Sequence, residues 1–270
     1  MKKITINFLI ITALFTAAFT SCKSRGSGNV KLIESMTSKT PDGVFTVKFE
    51  YDDENRIVKT LNHFDGRILY TETITYNCDG SVKIVNDNID DEKIVETHFI
   101  KNANTITVQS SDISYGTDAI TVNKDGYILK RERSYGSGED GSWSEIINWQ
   151  YQTGNFTKLT TAFHSISTSD RFPTQEFKYD NKKSPLYHCK TPKWLLAFYN
   201  IGLNNNIVER RYYDNINEDW SETYTYEYDS DGFPIRQTMK LKDGAKSEYM
   251  LLPEKITIYA YRSKTAEQTL

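Results

Sequence analysis

The residues of this chain that have the right chemistry for ligation, nucleophilic attack or general acid–base work are four histidines, three cysteines and 36 acids. Their spacing assembles no known catalytic unit. His63, His98, His164 and His188 are scattered, and none stands at metal-ligand spacing from another. His188-Cys189 is an adjacent pair, but two ligands fall short of the four a zinc site needs, and the pair reads more simply as a strand end. Acids gather at Asp52-Asp53-Glu54, Asp90-Asp91-Glu92 and Asp229-Ser230-Asp231-Gly232. Two carboxylates cleave a glycosidic bond only when held about 5–9.5 Å apart in a cleft. The Asp229-x-Asp231-Gly232 run lacks the third ligand and distal Glu of a calcium loop. Hairpin turns on a solvated edge account for these acids. There is no Gly-rich phosphate loop, no Gly-x-Ser-x-Gly and no His-Glu-x-x-His. The sequence therefore assigns no catalytic residue, no metal and no cofactor, and the expectation is a protein that is not an enzyme.

Binding chemistry is better represented. Trp143, Trp149, Tyr212, Tyr213, Trp220 and Tyr224 have apolar faces and polar edges on which sugar rings can stack. The competing explanation is packing, since Tyr and Trp favour strands. Tyr212-Tyr213 bears on the choice, because adjacent strand residues face opposite sides and both faces then carry an aromatic ring.

Cys22 offers a different chemistry. Lys2 and Lys3 precede an apolar run from Phe8 to Thr20, and the chain then reads Phe19-Thr20-Ser21-Cys22. The run is too short to span a bilayer, which needs about twenty apolar residues, and suits a signal peptide over 1–21. Small residues before a cysteine resemble the bacterial lipobox, whose Cys thiol is lipidated and becomes the first residue; Phe19 stands where Leu is more usual. The expectation is a lipid attachment at Cys22 that holds the protein to a membrane of the cell envelope, periplasmic or on the outer-membrane surface. Residues 22–29, rich in Gly and Ser, form a flexible tether. Cys78 and Cys189 then remain, either paired or as separate thiols. The formal charge of -3 excludes nucleic-acid affinity driven by a basic surface.

Period-two alternation must position all of these groups. In Phe45-Thr46-Val47-Lys48-Phe49-Glu50-Tyr51 every odd residue is apolar or aromatic, and Glu222 to Tyr228 alternates aromatic residues with Thr or Glu. Such runs are half-buried antiparallel strands. Asp65-Gly66, Asp79-Gly80, Asp125-Gly126, Asp231-Gly232 and Asp243-Gly244 mark hairpin turns, as do Gly136 to Gly141. About fifteen strands result. One segment departs from this pattern: Thr191-Pro192-Lys193-Trp194-Leu195-Leu196-Ala197-Phe198-Tyr199-Asn200 predicts a short helix near 192–199, with Thr191 as N-cap and Asn200 closing it. It is apolar nearly all round and must be buried. The hydrophobic share of 38% is below the roughly 45–50% of ordinary globular chains, which suits a thin curved sheet. No linker divides the chain. The fold class is all-β: one domain over 30–270, a long antiparallel meander, strongly twisted or closed into a barrel.

A weak repeat of strand, aromatic, Asp, turn and strand recurs at Phe49-Glu50-Tyr51-Asp52, Phe177-Lys178-Tyr179-Asp180 and Tyr226-Glu227-Tyr228-Asp229. It resembles the tyrosine-aspartate repeats of large bacterial shell proteins, with irregular units. With the lipobox, and with Tyr179-Asp180-Asn181-Lys182-Lys183-Ser184-Pro185-Leu186 before the helix and Asn204-Asn205-Asn206 after it, the chain over 40–260 resembles uncharacterised secreted lipoprotein domains of Bacteroidetes type with a porin-like β fold. The resemblance implies a fold and a location, and no activity. Membrane insertion is not expected, because Lys48 and Glu50 put charge on one strand face and Glu222 on the other. Three classes of function follow: a non-enzymatic envelope module binding a glycan or a protein, a purely structural lipoprotein, and a hydrolase with convergent carboxylates.

Overall fold

The computed structural model describes residues 30–40, 42–89, 92–111, 115–135, 143–165, 172–199, 202–214, 219–242 and 254–264. The signal peptide, Cys22 and the tether lie outside the described residues, as do the turns expected at 136–141 and 243–244 and the closing Asn200. Among the described residues sixteen strands follow one another. The first eight are β1 (Val30–Thr40), β2 (Gly43–Tyr51), β3 (Ile57–Phe64), β4 (Arg67–Tyr76), β5 (Val82–Asn88), β6 (Lys93–Asn102), β7 (Thr105–Ser110) and β8 (Tyr115–Val122). The rest are β9 (Ile128–Tyr135), β10 (Trp143–Gln152), β11 (Asn155–Ser165), β12 (Thr174–Tyr179), β13 (Ile207–Tyr213), β14 (Asp219–Tyr228), β15 (Pro234–Lys242) and β16 (Glu254–Lys264). Each pairs antiparallel with its neighbour in sequence, and β1 pairs with β16. The sheet is a closed barrel.

Closure turns alternation into inside and outside. On β2, Phe49 is 3% exposed and Phe45 and Val47 border the interior, while Lys48 and Glu50 are exposed. At one end of the barrel the strands join through short turns. Four of these, at 52–56, 77–81, 123–127 and 229–233, share a geometry: the first N–H donates to the fifth carbonyl, and the fourth N–H to the first carbonyl. The fourth residue has positive φ: Asn55 at 66°, Gly80 at 82°, Gly126 at 81° and Gly232 at 82°. Three of the Asp-Gly pairs thus complete a type I turn with a glycine bulge, whereas Asp65-Gly66, with φ of 48° and 82°, is the two-residue mirror-image turn. In three of the four, a leading Asp or Asn (Asp52, Asn123, Asp229) accepts two backbone N–H groups of its own turn on Oδ1.

Tyrosines lock the same end. Tyr51, Tyr76, Tyr179, Tyr226 and Tyr261 donate their hydroxyls to the carbonyls of Ile33, Ile57, Phe156, Ile207 and Pro234, at 2.7–2.9 Å. Each accepting residue lies beside a β-bulge at the start of the preceding strand. The bulge interrupts the ladder, and the tyrosine hydroxyl satisfies the carbonyl left there.

Between β12 and β13, residues 180–199 and 202–206 fold into this end as a plug. Their helix is α1 (Lys193–Leu196), followed by a 3-10 turn over Ala197–Tyr199. Trp194, Leu195 and Leu196 are 4%, 2% and 3% exposed, and the Trp194 ring lies 5.2 Å from that of Phe99 on β6. Thr191 does not cap the helix, whose N-cap is Pro192 without a side-chain bond. Its Oγ1 instead accepts the Ile57 N–H at 2.7 Å, capping a strand where the bulge leaves that donor free. Lys190 N–H donates to the Asn55 carbonyl at 2.9 Å, and Asn155 Oδ1 accepts the Asn204 and Asn205 N–H groups at 3.1 and 3.2 Å. A helix this short has no stability of its own, so burial holds it. Trp194→Ala is expected to cost about 3–5 kcal/mol, read as a lowered melting temperature; an unchanged melt with a freely quenched Trp194 would show the segment to be undocked.

Candidate functional site

The plug fills only part of the barrel. Above it the inner strand faces line a cavity of about 850 Å³, within the range of small-molecule sites. Leu195, Phe198, Tyr199 and Asn206 of the plug segment border it from below. The apolar side chains at the plug end, among them Ile33, Ile57, Ile74, Val82, Ile106 and Ile128, form the core that supports this floor. Farther along the same inner faces the residue types change from aliphatic to polar, and that change makes the site.

Charges concentrate on one arc of the wall. On β8 and β9, Arg131 grips Asp118 with both nitrogens of a fork: Nε donates at 2.9 Å, and the Nη2 contact is shorter still. Arg133 stands 3.5 Å from Glu145 of β10 and 3.7 Å from Asp118. The Arg131 guanidinium also lies 4.9 Å from the centroid of the Phe198 ring, tying this cluster to the plug. Next along the arc, Arg210 of β13 donates to Gln175 at 2.9 Å and stands 3.7 Å from Glu222 of β14, which also accepts the Tyr224 hydroxyl. The opposite arc is mostly neutral. There Thr60 donates to Glu72 at 2.7 Å, Asn62 to Thr60 at 3.3 Å, and Ser38 and Thr257 share a 3.0 Å bond.

Burial sets the state of the tyrosines. It holds the Tyr226 and Tyr259 hydroxyls well above the usual range, and Tyr224 likewise, with the Glu222 carboxylate adding to the effect. They remain neutral hydroxyls.

The six candidate aromatics divide. Trp143, Trp149, Tyr212, Trp220 and Tyr224 belong to the inner face and Tyr213 to the outer, as the adjacency of Tyr212 and Tyr213 requires. Tyr224 borders the cavity. Tyr212 and Trp220 stack on each other, with centroids 5.0 Å apart and planes 13° apart, and Trp143 packs on Phe163 at 5.0 Å. Trp149 packs against the core, and Tyr213 bonds Glu176 at 2.9 Å outside the barrel. They do not gather into one flat platform. Cys78 in a turn and Cys189 in the plug are separate free thiols, the latter pushed up by burial. His188 Nδ1 accepts the Lys31 N–H at 3.0 Å, and Asp229 and Asp231 pair with the Lys31 ammonium. Among the described residues no His, Cys, Asp and Glu group is arranged to hold a metal. Sequence reasoning passed over Asp118, Arg131, Arg133, Arg210 and Asn206. A signal was present: Glu222 shares a register with Tyr224 and Tyr226, and a charge in an aromatic row marks a polar interior.

No family model and no curated protein matches the chain. Solved structures do. A porin-like protein from Bacteroides uniformis aligns with a TM-score of 0.52 at 14% identity, covering 87% of this chain and 97% of that one. The fold is shared. A second porin-like protein, from Bacteroides vulgatus, aligns at 16% identity with a TM-score of 0.42, over 86% of this chain and 99% of that one. At such identities the likeness concerns architecture alone.

The buried tyrosines give an alkaline signature. Their raised folded values mean that the stability they contribute is complete below the unfolded tyrosine pKa of about 10 and is lost as pH rises above it. In a spectrophotometric titration, the phenolate absorbance of this group is expected to appear only with unfolding. Full ionisation at pH of about 10 with the β signal intact would contradict their burial.

Proposed function

We propose that this chain is a non-enzymatic binding protein of the cell envelope, tethered through lipid on Cys22, that holds a small glycan inside its barrel. The observation that carries this reading is the cavity itself, about 850 Å³ with a mixed apolar and polar wall. A purely structural barrel gains nothing from a void of that size, because unfilled interior space lowers stability. A folded partner protein does not fit within it. A lipid tail would strip water from Asn62, Asn86, Ser110 and Gln237 without returning hydrogen bonds. A sugar, with apolar ring faces and many hydroxyls, matches both parts of the lining. Asp118, Glu145, Glu222 and Glu72 are each engaged by an arginine or a hydroxyl, which favours binding over hydrolysis.

The outer face supports a barrel standing in water. Lys83–Glu96, Lys130–Glu132, Lys178–Glu209 and Arg236–Glu227 pair at 2.7–3.3 Å around it. Lysine or arginine on a lipid-facing strand costs about 2–4 kcal/mol at the bilayer midplane. β1 starts at the plugged end, where Lys31 meets His188, so an anchor on Cys22 would join the barrel at that end.

Two experiments test the reading. Cys22→Ala is expected to abolish lipid labelling and release the protein from membranes; unchanged labelling and fractionation would refute the anchor. Thr97 borders the cavity on β6, and Thr97→Trp is expected to put an indole into the space a sugar ring would take. A glycan-array signal should then vanish while the β circular dichroism persists; an undiminished signal would place binding elsewhere.

A further inference from the structure

We propose that the lumen holds a cation site built on Glu72, and that its ligand is a saccharide carrying a protonated amino group. The inference rests on the lumen-binding reading and specifies its ligand. The first support is a carboxylate without a counter-charge. On the charged arc, Asp118 and Glu222 each stand beside an arginine. Glu72, on β4 in the mostly neutral arc, borders the cavity and is half-buried, and among the described residues no Lys, Arg or His pairs with it. Its Oε2 accepts the Thr60 hydroxyl at 2.7 Å, which leaves Oε1. Lys255 is a lining cation that makes no ion pair with the described residues, but it stands on β16, and β1, β2 and β3 lie between that strand and β4. At about 4.8 Å per strand the separation is roughly 19 Å around the wall, well beyond a Debye length of about 8 Å in physiological salt. Glu72 therefore keeps a negative charge for a ligand to meet.

The second support is the orientation of the neighbours, which offer oxygen and no fixed donor. Thr60, Glu72 and Asn86 stand in one row across β3, β4 and β5. Because the Thr60 hydroxyl hydrogen is committed to Glu72, its oxygen can only accept from Asn62. It takes Asn62 Nδ2 at 3.3 Å, which fixes the nitrogen end of that amide and turns Oδ1 away. Asn62 is 4% exposed and borders the cavity. Neither Asn62 Oδ1 nor Glu72 Oε1 meets a donor among the described residues, and neither is sealed from solvent. Asn86, opposite Glu72, brings a further amide oxygen to the wall. Tyr70 and Tyr199 border the cavity as neutral hydroxyls, held protonated by burial and then by the Glu72 charge. A sugar hydroxyl would bring one donor to this cluster and set its own lone pairs against the carboxylate. An ammonium brings three donors, no lone pair and the opposite charge.

The test is an array of oligosaccharides that carry, at one and the same position, a free amine, an N-acetylated amine, a hydroxyl or a carboxylate, probed with the purified full chain below the pKa of the amine. The strongest set is then measured by calorimetry. The free amine is expected to bind at least tenfold more tightly than its acetylated and hydroxyl counterparts. Equal binding of these members, or tighter binding of the carboxylate, would overturn the amine; if Thr97→Trp still abolishes that binding, the lumen reading stands. Binding of no member would overturn the lumen-glycan reading as a whole. Glu72→Gln keeps an acceptor for Thr60 and is expected to erase the preference for the amine, and a preference that survives in the folded variant would show that Glu72 is not its source. Asn86→Asp tests the same placement independently, because it puts a second carboxylate opposite Glu72. It is expected to tighten the amine severalfold, and an unchanged affinity would contradict the placement. Calcium chloride alone, titrated into the unaltered protein, is expected to give no binding heat; a heat that Glu72→Gln removes would make this a metal site and overturn the amine.

Discussion

Everything specific about this protein depends on the seam between β1 and β16. The two strands pair from Val30 with Lys264 to Lys39 with Ile256, with one bulge between Ile33 and Ser35, and the Ser38 and Thr257 hydroxyls meet across it inside the barrel. Unpaired, the sixteen strands would form a wide sheet with two exposed edges and two wet faces. Paired, one face becomes an interior. The modest apolar content of the sequence then makes sense, because only the plug end of that interior is packed as a core while the remainder lines a partly polar cavity.

The Tyr-Asp repeat acquires a physical meaning in this frame. The Asp or Asn builds the turn by accepting two of its N–H groups, as Asp52, Asn123 and Asp229 do. Tyr51, Tyr179 and Tyr226 reach back to the preceding strand and satisfy the carbonyl beside its bulge, while Tyr228 bonds Asp180 instead. Where a strand end carries Phe99 or Val122 instead, the side chain joins the apolar cluster around Trp194. One set of local devices thus builds a plugged end and leaves the rest of the interior open as a cavity.

Much of this was legible in the residues. Alternation in Phe45–Tyr51 and Glu222–Tyr228 predicts strands whose faces the structure keeps, and the apolar Trp194-Leu195-Leu196 run predicts a buried helix. Closure was not legible, because the pairing of the first strand with the last leaves no local signature and depends on the summed twist of all that lies between. The role of Thr191 was misread for a related reason: as a helix cap it satisfies local chemistry, yet the Ile57 N–H, 134 residues away, is the donor it meets. The aromatic set was found by type alone, and type does not distinguish Tyr212, stacked on Trp220, from Tyr224, which borders the cavity. Asn206 was visible only as part of an Asn-rich turn.

Closure is the central claim, and hydrogen exchange of the backbone amides tests it most directly. In a closed barrel the amides of Met36 to Ser38 and of Thr257 to Tyr259 are held between two neighbours and should exchange as slowly as those of the middle strands β7 to β10. If β1 and β16 instead exchange orders of magnitude faster than β7 to β10, they are free edges. The sheet would then be open and the lumen would not exist.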